Sequence, residues 1–219
     1  MSFPNLFLPS RTGLALFGGD RACLAVATWA AARAFLGRTG ATRERASHLI
    51  AVDAGNAFDP YIISDVARAA GEAPEQWLAR VRIARAFTLH QLDVLVAERL
   101  PALCGDGNPV LLLSLLDLFG DEAVPTVEAR RILRRILWTL QDLVKRRCPV
   151  LVACPDPGRP TSWEGSLLPP LRRLASWILH VQAAGDGSYV VTRERPTPAT
   201  WRWTRLSHPA MGEAPDAPV

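Results

Sequence analysis

Residues 47–60 read SHLIAVDAGNAFDP and residues 81–91 read VRIARAFTLHQ, with a helical pattern between them. The apolar runs 49–52 (LIAV) and 81–84 (VRIA) are too short for helices, and their length suits buried strands. Each is followed by a segment of helical periodicity. Short apolar strands alternating with helices are the pattern of a parallel sheet covered on both faces, because a crossover helix must return the chain between parallel strands. These two phrases therefore predict an α/β domain, with the segment ARAF (84–87) expected to pack in its interior.

The same alternation extends in both directions. Towards the N-terminus, residues 14–17 (LALF) form an apolar run that Gly18-Gly19 is expected to end. An alanine-rich helix is expected over 21–36, stopped by Gly37. Residues 38–47 are polar and basic, the composition of a loop. Asp59-Pro60 has the chemistry of a helix start, and Ile62, Ile63, Val66 and Ala70 follow at helical spacing. Residues 74–78 read as a short helical connector. Thr88 is placed to cap a helix over 89–99 with Leu92, Leu95 and Val96 inward, and His90 is expected to pack or cap. Pro109 introduces a strand over 110–116. Thr126 is a fair N-cap for the longest helix, whose apolar stripe is Ile132, Leu133, Ile136, Leu137, Leu140 and Leu143. Its remaining surface carries Arg130, Arg131, Arg134, Arg135, Lys145, Arg146 and Arg147. A solvated basic face is favoured there over a surface for DNA or an acidic partner. Residues 149–153 form another buried strand, and 155–170 a loop rich in proline and glycine. Residues 175–182, a turn at 185–187, 188–193 and 201–206 predict an antiparallel finish. The expected organisation is an N-terminal extension (1–13), one core domain (14–207) and a disordered tail (208–219).

The chain has 219 residues, 49% hydrophobic and 21% charged, enough for one full core. A net charge of +4 with a pI near 9.2 is compatible with a polyanion partner without requiring one. Cys23, Cys104, Cys148 and Cys154 are scattered, so no zinc site and no disulfide framework is expected. The N-terminus lacks the pattern of a signal peptide. The longest apolar run, 109–116, falls far short of the roughly 20 residues that span a bilayer. A cytoplasmic protein with no membrane contact is expected.

Two phrases carry a resemblance. DAGNAFDP (53–60) resembles the acidic DTEGTFRP turn of the RecA/RadA-type strand-exchange recombinases, and ARAFTLHQ (84–91) is similar to their ARAYN…HQ segment. The resemblance implies a RecA-like core: a mostly parallel central sheet flanked by helices, with an antiparallel C-terminal hairpin. It also implies where ATP chemistry would stand, and each such position is replaced. A Walker A loop, GxxxxGK[ST], needs glycines for backbone approach, a lysine on the phosphates and a hydroxyl on Mg²⁺. Counting from Gly18-Gly19, the chain has Cys23, Leu24 and Ala25 at the second glycine, the lysine and the hydroxyl. Arg21 is the one nearby cation, and Asp20 would repel phosphate. Gly55 stands at the catalytic glutamate, while Asp53 reads as a turn or cap residue. Leu113 stands at the Walker B aspartate, with Asp117 four residues on. Ala153-Cys154-Pro155-Asp156 replaces the Asn-Gln sensor of the γ-phosphate.

No catalytic residue, no metal ligand and no ATP or Mg²⁺ cofactor are therefore expected. The function implied is that of a non-hydrolysing accessory protein in DNA repair or recombination, binding a recombinase, a DNA polymerase or single-stranded DNA. Arg159, Trp163, Arg172 and Arg173 are its candidate nucleic-acid residues, by analogy with the family's second DNA-binding loop and because cations with an aromatic suit single strands. A proline-rich surface loop with one buried tryptophan accounts for the same residues. An unconventional ATPase using Arg21 and Asp117, and a pure protein-interaction subunit, are the alternatives.

Overall fold

The computed structural model describes residues 13–37, 48–104, 107–121, 123–156 and 166–204. The basic loop at 38–47, the tail, Arg159 and Trp163 lie outside them. Eight strands form one sheet: β1 (Gly13–Gly19), β2 (Leu49–Asp53), β3 (Val81–Arg85), β4 (Val110–Leu113), β5 (Pro149–Ala153), β6 (Trp177–Ala184), β7 (Ser188–Arg195) and β8 (Ala199–Thr204). Their order is β3-β2-β4-β5-β1-β6-β7-β8. The pairings from β3 through to β6 are parallel, and β6-β7-β8 is antiparallel. The fold is thus α/β, with a mostly parallel sheet and an antiparallel finish.

Strand alternation explains why the central strands are apolar throughout. Leu14 and Leu16 of β1, Ile50 and Val52 of β2, Val110 and Leu112 of β4, and Val150 and Val152 of β5 enter one core. That core is closed by α4 (Leu89–Asp93), α5 (Leu100–Leu103), α6 (Thr126–Lys145) and α7 (Leu168–Leu174). The intervening residues Ala15, Phe17, Ala51, Leu111, Leu113 and Leu151 enter a second core beneath α1 (Ala22–Gly37), α2 (Pro60–Ala69) and α3 (Pro74–Leu78). Both faces are covered, so every position of β2, β4 and β5 is buried. No helix among the described residues is long and apolar enough to cross a membrane.

Several sequence expectations are corrected. Gly13 belongs to the sheet, paired with Pro149, and Gly18-Gly19 continue β1 because β6 offers His180 and Val181 as partners. β4 ends at Leu113, three residues early, because Ser114 turns the chain at φ +56°. The helix expected over 89–99 is α4 followed by a π-helical turn, Val94–Arg99, before α5. Pro101 explains the widening: it lacks an N–H, and its ring crowds the carbonyl four residues back. Pro125, not Thr126, occupies the N-cap of α6, with no side-chain cap bond. On α2 the inward alanine is Ala67, and Ala70 is exposed. The final strands are longer or shifted, β7 reaching Arg195 and β8 spanning Ala199–Thr204. β3 is an edge strand, so Ile83 and Phe87 are exposed; of the ARAF segment Ala86 enters the core, while Arg85 and Phe87 do not pack inside. His90 is exposed 3.9 Å from Glu128, while Thr88 makes the cap to Gln91 N.

Candidate functional site

In an open parallel sheet, ligands bind beyond the carboxyl ends of the strands. Here that region gathers the ends of β1, β2, β4 and β5, including most of the replaced positions named above. Only Asp20 and Arg21 separate β1 from α1. The Asp20 carboxylate accepts from Ala22 N at 2.9 Å and from Ala183 N at 2.6 Å. Cys23 N and Leu24 N donate to the carbonyls of Asp20 and Arg21. The first amides of α1 thus meet acceptors supplied by the chain itself, with a carboxylate at the place where a helix N-terminus attracts an anion. Gly19 has φ +102°, and a Cβ there would stand 2.0 Å from the Val181 carbonyl oxygen. This glycine allows strand approach.

Leu24 is buried in the α1 core, and Ala25 is half-buried on the same helix. Arg21 is exposed. The Cys23 thiol is pushed up to about 12, first by burial and then by Asp156, Asp20 and Asp117. It stays protonated and a poor nucleophile at neutral pH. Burial likewise raises the Cys154 thiol.

Asp53 is buried, and its two oxygens accept from the backbone N–H groups of Gly55, Ala57 and Phe58 at 3.0–3.2 Å, with Arg85 Nε at 3.7 Å. Three backbone donors on one carboxylate fold the 53–58 turn, and they account for Asp53 as a structural residue. Gly55 faces Ser114: a Cβ at Gly55 would lie 2.3 Å from Ser114 Oγ and 3.1 Å from Asp117 Oδ2. Ser114 is fully buried in the left-handed region, and its hydroxyl makes no well-aligned hydrogen bond. It is still near enough to favour the ionised form of Asp117. Sequence reasoning missed Ser114, because nothing local marks a serine as the side chain that will fill a distant glycine's space.

Asp117 opens a 3₁₀ turn, Asp117–Gly120, at the mouth of this region. The residue is solvent-accessible, but partial burial of its carboxyl raises its pKa above the ordinary 3.8, with Ser114 and Arg21 pulling it back and Asp53 pushing it further up. A folded state that holds this proton more tightly than the unfolded chain loses stability as pH rises from 3.8 through the raised value. Asp117→Asn should therefore be slightly more stable than the wild type at neutral pH and no more stable below that range, as thermal melts at both pH values would record.

Asp156 N donates to the Gly19 carbonyl, and its carboxylate lies 4.0 Å from His180 Nδ1. Among the described residues, no three His, Cys, Asp or Glu side chains are grouped to hold a metal. Of the nucleic-acid candidates, Arg172 is ion-paired with Glu194, and Arg173 is exposed on α7.

A second surface lies at the rim. Ile83 on β3 is 43% exposed, Phe87 just beyond it 70%, and Tyr61 at the start of α2 72%. Phe87 and Tyr61 both follow the carboxyl ends of the neighbouring strands β3 and β2. Arg80 O and Ala86 N bond towards β2, so the even-numbered residues of β3 face inward and the N–H and C=O of Ile83 point out of the sheet. Comparison with protein-family models and with curated proteins finds no match for this chain.

Proposed function

We propose that the protein is a non-hydrolysing, RecA/RadA-like accessory factor in DNA repair or recombination, which acts by binding a recombinase or a DNA polymerase at the outer edge of β3. The observation that carries this reading is the open edge itself. Among the described residues it has no neighbouring strand, and large apolar side chains stand beside it. Proteins usually protect such an edge with charge, proline or a bulge, and Arg82 and Arg85 give it only partial protection. An extended partner segment would add a strand there, taking affinity from main-chain hydrogen bonds and specificity from contacts with Ile83 and Phe87. The recombination setting rests on the two phrases at 53–60 and 84–91. The non-hydrolysing part is supported by the two-residue β1–α1 connection, the internal Asp20 carboxylate and the filling of the Gly55 position by Ser114.

The test uses the purified chain with the strand-exchange recombinase and the DNA polymerases of its own host. Ile83→Pro removes one outward N–H without touching the ladder to β2, a change that edge strands tolerate. It should leave the melting temperature nearly unchanged while weakening the complex about tenfold or more, because a lost main-chain bond and a misplaced anchor together cost at least about 1.4 kcal/mol. Phe87→Ser should weaken it comparably. A complex indifferent to both changes would exclude this edge.

A further inference from the structure

The exposed ridge of α6 has no role in the reading above. Arg130, Arg131, Arg134, Trp138, Gln141 and Lys145 recur at intervals of three, four and seven residues, and all are exposed. Trp138 is 68% exposed, an unusual place for the largest apolar side chain. The acids of the helix are engaged elsewhere: Glu128 lies against His90 and Asp142 pairs with Arg146 at 2.6 Å. Arg135 is turned aside to Asp93 and Glu98. Arg130, Arg131, Arg134 and Lys145 make no ion pair with any described residue. The ridge is therefore a line of four cations, none held in a close ion pair, around one open aromatic face, with Arg131 within electrostatic reach of Asp93. From Arg130 to Lys145 it runs about 22 Å at 1.5 Å per residue.

We infer that this ridge binds single-stranded nucleic acid, with a base stacked on Trp138 and phosphates along Arg130, Arg131, Arg134 and Lys145. The charge calls for an anionic partner, and the isolated aromatic decides which kind. An acidic helix would need an apolar seam at i, i+3, i+4 and i+7 to dock against. Here the other exposed apolar residue, Val127, lies eleven positions from Trp138, and no such seam exists. A duplex keeps its bases stacked away from a convex side chain. A single strand presents π-faces and phosphates in alternation, which suits an aromatic set among cations. Arg134 and Trp138, four residues apart, are neighbours on the helix surface, so one nucleotide can meet both. The ridge and the β3 edge are different elements, and Ile83→Pro should leave binding at the ridge unchanged.

The experiment is fluorescence anisotropy of a labelled twelve-nucleotide oligo(dT) with the full chain, from about 50 to 200 mM salt. Binding is expected, with log affinity falling against log salt at a slope near −2.8 for four contacts at about −0.7 each. Trp138→Ala should weaken binding about tenfold, and Trp138→Phe should retain most of it. Arg131→Gln with Arg134→Gln should reduce the slope by about 1.4. Both arginines are exposed and in no ion pair, so that arm holds even if Trp138→Ala lowers stability. Failure to bind at low salt, or binding indifferent to both sets of changes, would overturn the inference. So would a duplex binding as tightly as the single strand, or a poly-glutamate peptide competing equally at matched charge. That last result would assign the ridge to an acidic protein.

Discussion

Replacing Gly55 with glutamate, the residue the recombinase resemblance puts at this position, will destabilise the protein rather than restore catalysis. The new Cβ would stand 2.3 Å from Ser114 Oγ and 2.5 Å from Ser114 Cβ. Ser114 cannot retreat easily. It is fully buried, sits at φ +56°, and its N–H is bonded to the Ala153 carbonyl across the sheet. Overpacking alone costs about 1–3 kcal/mol. A third carboxylate beside Asp53 and Asp117 adds like-charge repulsion in a partly desolvated site. A total of about 3 kcal/mol or more is expected, against a whole-domain stability of about 5–15 kcal/mol. Denaturant midpoints measure it, and the variants separate its parts. Gly55→Ala should show most of the loss, and Gly55→Ala with Ser114→Gly should recover much of it. A Gly55→Glu protein as stable as the wild type would mean that Ser114 does not occupy this space.

Gly19→Ala should be worse. Its Cβ would meet the backbone of Val181, with the carbonyl oxygen at 2.0 Å and the carbonyl carbon and amide nitrogen at 2.9 Å. A side chain can rotate away; a carbonyl in a ladder cannot, and this one also accepts from Asp20 N at 3.0 Å. Left-handed backbone on a non-glycine residue adds about 1–3 kcal/mol of strain. The expected loss is about 4 kcal/mol or more, enough to leave little soluble protein. Because the obstructing atoms are backbone, no second substitution should rescue it. Soluble yield and melting temperature of Gly19→Ala beside Gly18→Ala give the contrast. A Cβ at Gly18 meets nothing closer than Asp156 Oδ1 at 3.6 Å, so that variant should be nearly neutral.

These two glycines also mark what could and could not be read from the sequence. Strands β1, β2, β4 and β5 were legible because two-sided burial demands unbroken apolar runs, and the α6 stripe because its spacing is unambiguous. The turn after β2 was legible because Asp53 and the DAGNAFDP phrase announce it. The glycine pair misled because glycine after an apolar run normally signals a turn. Here β6, more than 150 residues away, supplies the reason for it to be strand. The exposure of Phe87 was hidden for a similar cause: whether a strand is central or at the edge is decided by topology, not by its own residues. Ser114 filling the Gly55 position is a contact across 59 residues that no local pattern encodes. On α6, the sequence showed the basic face. That Glu128 and Asp142 are engaged, leaving Trp138 among unpaired cations, needed the side-chain geometry.

The proposed reading is that the Asp20 carboxylate and Ser114 stand where a nucleotide would be held and that the protein acts by partner contact. Its most direct test is a thermal melt of the purified chain with and without Mg-ATP at millimolar concentration, beside a calorimetric titration. A ligand at about a hundred times its Kd adds about 2.7 kcal/mol to the folded state. For a domain of this size that is a rise of roughly 5–10 °C. No rise and no saturable heat are expected. A saturable signal that raises the melting temperature and is lost in Asp117→Ala would contradict this reading, and would restore the alternative in which Arg21 and Asp117 serve an unconventional ATPase.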